Sequence, residues 1–218
     1  YTKTVLDLCG GPGVLASELV TRACKQRYTI LDLSPEMCNI AESRFRDNGD
    51  IDVICADWIG DLIGHRRFDV IIIKNALHVL ENAQYKLRLL NNIMTPGGVI
   101  IVVETVSPNH EANLFVRKLF EEAGLVGYKK HFFTEYSLKR LFKEAGLIEI
   151  RTPQRIDQVM DLIDWMTKKG VESNHMESVC RMIRSLNKYG NVYRSMKIQE
   201  ADRVMMLRRQ YCTVLRAI

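Results

Sequence analysis

Asp7, Asp32 and Asp57 each stand at or just beyond the polar end of an apolar run, and the turn Cys9-Gly10-Gly11-Pro12-Gly13 follows the first of them. Read physically, this is a buried strand, a glycine turn and a helix start, then a second strand that ends in a carboxylate about 20 residues after the glycines. That spacing belongs to a crevice for a nucleoside. Two histidines can exchange a proton near neutral pH: His78, in Asn75-Ala76-Leu77-His78, and His131, beside Phe132, Phe133 and Tyr136.

Two kinds of cofactor suit the turn. Gly11-x-Gly13-x-x-Ala16 is a formal match to the dinucleotide pattern, in which backbone N–H groups meet a pyrophosphate at a helix N-terminus. Two residues weigh against a pyrophosphate: the Asp7 carboxylate would repel it, and Pro12 has no N–H to donate. Asp7-x-Cys9-x-Gly11-x-Gly13 also resembles the first motif of the class I S-adenosylmethionine-dependent methyltransferases, where the acidic residue could receive the cationic methionine end of the cofactor. Cys9 departs from the family, standing where the first glycine is commonly found. A small, buried cysteine suits a compact turn if its φ stays negative.

The resemblance continues in order along most of the chain. Asp32, in Ile30-Leu31-Asp32-Leu33-Ser34, is similar to the family residue that accepts both ribose hydroxyls, for which a carboxylate offers only acceptors. Asp57 resembles the residue that takes the adenine amino group, with Trp58 beside the ring. Phe68 to His78 resembles the fourth strand and the active-site floor, Thr95-Pro96-Gly97-Gly98 the turn into the fifth strand, and Thr134 to Leu147 the helix before the sixth. The resemblance implies that Asp7, Cys9, Gly10, Gly11, Gly13, Asp32, Leu33, Asp57, Trp58 and Asn75 hold S-adenosylmethionine, whose product is S-adenosylhomocysteine. Their places beyond the strand ends and among aromatic residues put His78, Glu104 and Tyr136 against the acceptor, with His78 first and His131 second as the proton-accepting group.

The elements that must position these residues read as an alternation. Strands are predicted near 4–9, 27–32, 51–56, 68–74 and 98–104, and helices near 13–25, 35–47 and 81–94, the pattern of a mostly parallel sheet covered on both faces. Val70-Ile73 and Val99-Val103 are continuous apolar runs, as strands buried on both faces require. Ser34-Pro35 reads as an N-cap and first-turn proline directly beyond Asp32. A sixth strand is expected near 147–152 and an antiparallel last strand at 210–216. Between them residues 157–206 carry helical periodicity, with Val159, Leu162, Ile163 and Met166 on one face and Val179, Met182, Ile183 and Leu186 on another. The expected fold is α/β, a Rossmann-like doubly wound sheet with this helical insertion before its last strand. The insertion either caps the active site or forms a homodimer surface through its methionines. The layout is similar to that of some small-amine methyltransferases.

Composition agrees with one domain spanning 1–218. Hydrophobic content of 47% and charged content of 26% suit a folded α/β chain, and no apolar run reaches the length of a membrane span or reads as a signal peptide, so a cytoplasmic location is expected. Tyr1 lies three residues before the first strand, where family members commonly carry covering helices, so a preceding cap is expected to be missing. The six cysteines show no metal or redox spacing and read as reduced core residues, with no metal site. Residues 1–107 carry a net charge of −2 and residues 108–218 one of +7, with Lys129-Lys130, Lys168-Lys169 and Arg208-Arg209 read as solvated surface or as a face for an anionic partner or substrate. The leading reading is a small-molecule methyltransferase. A nucleic-acid methyltransferase ranks below it: the fourth-strand exit lacks an Asn/Asp-Pro-Pro-aromatic motif, and no Pro-Cys pair supplies a nucleophile for cytosine. A cofactor-binding protein without catalysis and a nicotinamide-dependent enzyme remain as alternatives.

Overall fold

The computed structural model describes residues 2–21, 26–58, 60, 66–127, 131–188, 190–200 and 204–218. In chain order the elements are β1 (Lys3–Leu8), α1 (Val14–Val20), β2 (Gln26–Asp32), α2 (Pro35–Phe45), β3 (Ile51–Cys55), β4 (Phe68–Lys74), α3 (Ala83–Leu89) with a 3-10 turn at Leu90–Ile93, β5 (Met94–Ser107), α4 (His110–Glu122), β6 (Phe133–Thr134), α5 (Glu135–Glu144) and β7 (Leu147–Glu149). They continue with β8 (Gln154–Asp161), α6 (Leu162–Lys168), α7 (Ser173–Arg184), α8 (Asn191–Ser195), β9 (Gln199–Glu200) and β10 (Val204–Ala217).

The main sheet runs in the order β3-β2-β1-β4-β5-β10-β7, parallel through its first five strands, with β10 antiparallel to both neighbours. Strand order reverses between β1 and β4, so the crevice for a ligand lies beyond their C-terminal ends, where the glycine turn begins. Both faces of these strands are buried. Leu6, Leu8, Ile71 and Ile73 pack with Leu87 and Phe142 on the α3/α5 side, while Val5, Ile30 and Ile72 pack with Ala16 and Ala41 on the α1/α2 side. This two-sided burial is why the runs read as continuously apolar. Ser34 caps α2 as expected, its hydroxyl accepting from the Met37 N–H, with Pro35 in the first turn.

The insertion corrects the sequence reading at its two ends. Residues 157–161 belong to β8 and 204–206 to β10, and Val159 is 62% exposed on a strand instead of buried on a helix face. The physical cause is tertiary. β10 runs 14 residues, past the edge of the sheet, and its free backbone groups from Met205 to Cys212 are paired by β8, overriding a local helical period. Between the strands of this ribbon lie the helices that were expected. Leu162 and Met166 of α6, Val179 and Ile183 of α7, and Met196 pack on Phe115 and Leu119 of α4 in a second core. His175 fixes this packing, its Nδ1 lying 2.8 Å from the Glu122 carbonyl oxygen at the end of α4, while the Ser178 hydroxyl donates to the Glu122 carboxylate at 2.6 Å. Boundaries move elsewhere too: α1 ends at Val20, α3 at Leu89, β7 at Glu149, and β5 extends to Met94–Ser107. Residues 22–25, including Cys24, and the Lys129-Lys130 pair lie outside the described residues.

Candidate active site

The turn after β1 is held in shape by three residues at positive φ: Cys9 at 57°, Gly11 at 56° and Gly13 at 72°. The expectation of a negative φ at Cys9 is therefore corrected. A cysteine occupies a left-handed position, at a steric cost of about 1–2 kcal/mol that glycine would not carry. Its neighbours have different reasons to be glycine. A Cβ on Gly10 would stand 2.9 Å from Asp7 Cγ and from Ile30 Cγ2, and one on Gly13 would stand 2.5 Å from Phe45 Cε2. Gly11 has nothing within 4 Å of its Cβ position, so it is the glycine whose surface is open to a ligand.

Asp32 closes the turn from β2. Its Oδ2 accepts the Gly11 N–H at 2.8 Å and its Oδ1 the Ser34 N–H at 2.9 Å, fixing the carboxylate while leaving lone pairs for a vicinal diol. Leu33 follows it, exposed at the rim. Asp57 is 81% exposed, with Lys86 Nζ 4.0 Å from its Oδ1 and 4.8 Å from the centre of the Trp58 ring. Trp58 Nε1 is buried without a hydrogen-bond partner among the described residues, an N–H that suits an acceptor. Lys86, from α3, was not found by sequence reasoning, because it is 29 residues from Asp57 and carries no local signal. The groups do converge on the turn: burial first, and then the charge of Asp32, with smaller contributions from Asp7 and Asp57, push the Cys9 thiol up to about 12.

Asp7 lies underneath the loop and not in its mouth. It is 2% exposed, accepts from the Tyr28 hydroxyl at 3.3 Å, and is pushed from its ordinary 3.8 up to about 7, chiefly by burial. Its place against Gly10 supports the loop from below.

On the other side of the turn, Leu8 pairs with Ile73, which brings the end of β4 beside it. Asn75 sits there at φ 51°, its N–H donated to the Val103 carbonyl and its Oδ1 accepting from the Thr105 hydroxyl and Gln210 Nε2, each at 3.3 Å. Glu104 differs from its expected role. It is fully buried and cannot face an acceptor; its Oε1 lies 2.8 Å from His78 Nδ1 and accepts the Thr105 N–H at 2.8 Å, while its Oε2 accepts the His78 N–H at 3.3 Å. In the neutral imidazole a carboxylate at Nδ1 favours the tautomer with its hydrogen there, which leaves Nε2 as the acceptor. His78 borders a half-open cavity of about 490 Å³ lined from β5, β10, α4 and α6, with Asn75, Thr105, Phe120, Trp165 and Arg208 also on its walls.

His131 and Tyr136 are not brought to this cavity. They border a separate groove with Tyr85, Arg88 and Arg140, lined by α3 and α5. His131 Nε2 is 2.9 Å from the Leu80 carbonyl oxygen, its N–H meets the His78 carbonyl, and its ring stacks on Phe133 at 5.7 Å, so it is occupied in holding the loop. Tyr136 is exposed.

Comparison with known proteins agrees with this geometry. A family described as a methyltransferase domain matches residues 5–98. An uncharacterized methyltransferase of Mycobacterium tuberculosis (strain ATCC 25618 / H37Rv) is 32% identical over 108 residues, 50% of this chain and 53% of that protein, so the match spans about half of the relative's length. The ubiquinone/menaquinone biosynthesis C-methyltransferase of Shewanella oneidensis is 29% identical over 181 residues, covering 72% of this chain and 71% of that one. A candidate methyltransferase from Bacillus halodurans superposes with a TM-score of 0.86 at 18% identity, over 99% of this chain and 92% of its own. The strand order and the glycine turn closed by Asp32 thus accompany a methyltransferase-domain match over residues 5–98, and the chain is similar in sequence and fold to methyltransferases.

Proposed function

We propose that the protein moves a methyl group from S-adenosylmethionine to a small-molecule acceptor seated in the cavity beside His78. The observation that carries the reading is the pairing of His78 with the fully buried Glu104 at the wall of a half-open cavity, next to a turn suited to a nucleoside. Proteins of this fold solved with S-adenosylhomocysteine support the cofactor, and the Shewanella relative supports a small molecule as acceptor.

When bound, the cofactor supplies a methyl carbon on a sulfonium, which the acceptor's electron pair takes while the C–S bonding pair returns to sulfur. Asp32 accepts from the ribose hydroxyls, and its two backbone donors keep it oriented before the ligand arrives. Gly11 leaves room for the ligand where a side chain would stand. Asp57 and Trp58, joined by Lys86, offer an acceptor and an aromatic face for the base. Asn75 fixes the boundary between this crevice and the cavity. His78 Nε2 takes the proton that the acceptor loses, and Glu104 is a positioning residue that holds Nδ1–H and so selects the tautomer. Leu162 and Trp165 of α6 line the cavity, and water excluded there on acceptor binding would leave in-line transfer dependent on alignment.

Incubation with methyl-labelled S-adenosylmethionine and fractionated metabolite pools tests the proposal. The label should appear in a small molecule and the signal should fall with His78→Ala. Label found only in nucleic acid, or none transferred by a protein that binds the cofactor, would contradict it.

A further inference from the structure

The cavity beside His78 has an electrostatic character of its own. Among the described residues no aspartate or glutamate lines it, whereas Arg208, Arg209, Lys168 and Lys169 do. Three of these cations are engaged, Lys169 among them. Arg209 forms a forked pair with Asp157, at 2.6 Å and 2.8 Å, and Lys168 meets Asp164 at 2.7 Å. Arg208 is different. Its Nε and Nη2 each lie 3.4 Å from the Thr105 hydroxyl, and among the described residues no carboxylate forms an ion pair with it. A half-buried guanidinium that borders this cavity with only one neutral oxygen in reach has donors left over, and its planar fork matches a carboxylate.

The remaining wall defines the rest of the ligand. Phe120, Trp165, Met160 and Met206 give the cavity an apolar body, and the rings of Phe120 and Trp165 stand 5.4 Å apart. Aromatic walls alone would also suit a cationic amine, but the Arg208 guanidinium, with no acidic residue among the described lining, disfavours one. The hydrogen bonds also set the orientation. Thr105 touches Arg208 through its hydroxyl and Glu104 through its N–H, and Glu104 holds His78, so the anion-binding end and the proton-accepting end are built on consecutive residues of β5.

We infer that the acceptor is an apolar carboxylic acid, its carboxylate held by Arg208 and its hydrophobic body packed between Phe120, Trp165 and the methionines. This rests on the cavity being the acceptor site of the proposed methyltransferase, and it excludes cationic small amines as the preferred acceptors.

The experiment is calorimetric titration of 2-naphthoic acid and of dodecanoic acid, each against its primary amide, into the whole chain with and without S-adenosylhomocysteine. At least one acid should bind about tenfold or more tightly than its amide. Arg208→Gln should remove that preference while leaving the amide's affinity and that of S-adenosylhomocysteine unchanged, and Arg208→Lys should restore part of it. Equal affinity for acid and amide in the wild-type protein, no binding of either acid, or an equal loss for acid and amide in Arg208→Gln would overturn the assignment. A preference for acids in a protein that does not bind S-adenosylhomocysteine would keep the anion site and refute the methyl-transfer reading, so the two can fail separately.

Discussion

Replacing Asp7 by asparagine removes a charge that the fold must otherwise bury. The carboxyl is 2% exposed, and burial is the main cause of its displacement from 3.8 to about 7, against the opposing pull of the Tyr28 hydroxyl. Between these two values the folded protein holds a proton that the unfolded chain has released. Stability is therefore greatest below the lower value and falls as pH rises through the upper one. The full displacement corresponds to about 4 kcal/mol. Asp7→Asn does not titrate and keeps an oxygen for the Tyr28 hydroxyl, so its stability should not show this loss. The gap between variant and wild type should widen in favour of the variant by about 2 to 3 kcal/mol from about pH 5 to about pH 8. Urea unfolding across that range measures it, provided the slope with denaturant stays the same for both proteins. Parallel stability curves, or a variant that loses ground as pH rises, would refute a buried, proton-retaining Asp7.

Further outcomes follow from the site. His78→Ala should lower turnover by roughly 10²-fold and abolish the acidic limb of the rate profile, while Glu104→Gln should lower turnover by about tenfold or more with binding of S-adenosylhomocysteine unchanged; rates across pH decide both. Gly13→Ala, which drives a Cβ into Phe45 at φ 72°, should cost about 1–3 kcal/mol of stability in urea, whereas Gly11→Ala, with open space around it, should cost less and act mainly on cofactor affinity. Helices α6 and α7 should gain hydrogen-exchange protection when S-adenosylhomocysteine and acceptor are both bound; unchanged exchange there would reduce the insertion to a fixed wall.

What the sequence made legible is what is local. Asp32 could be placed because the end of one strand and the turn of another are linked by spacing, and Ser34-Pro35 because a cap lies next to its helix. The helices α6 and α7 were visible through the period of Leu162, Met166, Val179 and Ile183. The missed features are those that tertiary pairing creates. β8 exists because β10 overruns the sheet, and nothing in residues 154–161 announces that partner. Glu104 and His78 are 26 residues apart and meet only because β5 lies beside β4, so the carboxylate read as a substrate ligand becomes the support behind the histidine. Arg208 and Arg209 are indistinguishable in sequence, and only the position of Asp157 on the neighbouring strand shows which one is neutralised. Cys9 looked compatible with an ordinary turn because φ leaves no trace in composition.

The central claim, a nucleoside cofactor held at the turn that Asp32 closes, is tested most directly by calorimetry of S-adenosylhomocysteine with the wild-type protein and Asp32→Ala. The account predicts one-to-one binding to the wild type and a loss of about 2 kcal/mol or more in the variant, through the charge-assisted hydrogen bonds that Asp32 makes. Tight NAD binding without any response to S-adenosylhomocysteine, or equal affinity in both proteins, would contradict it.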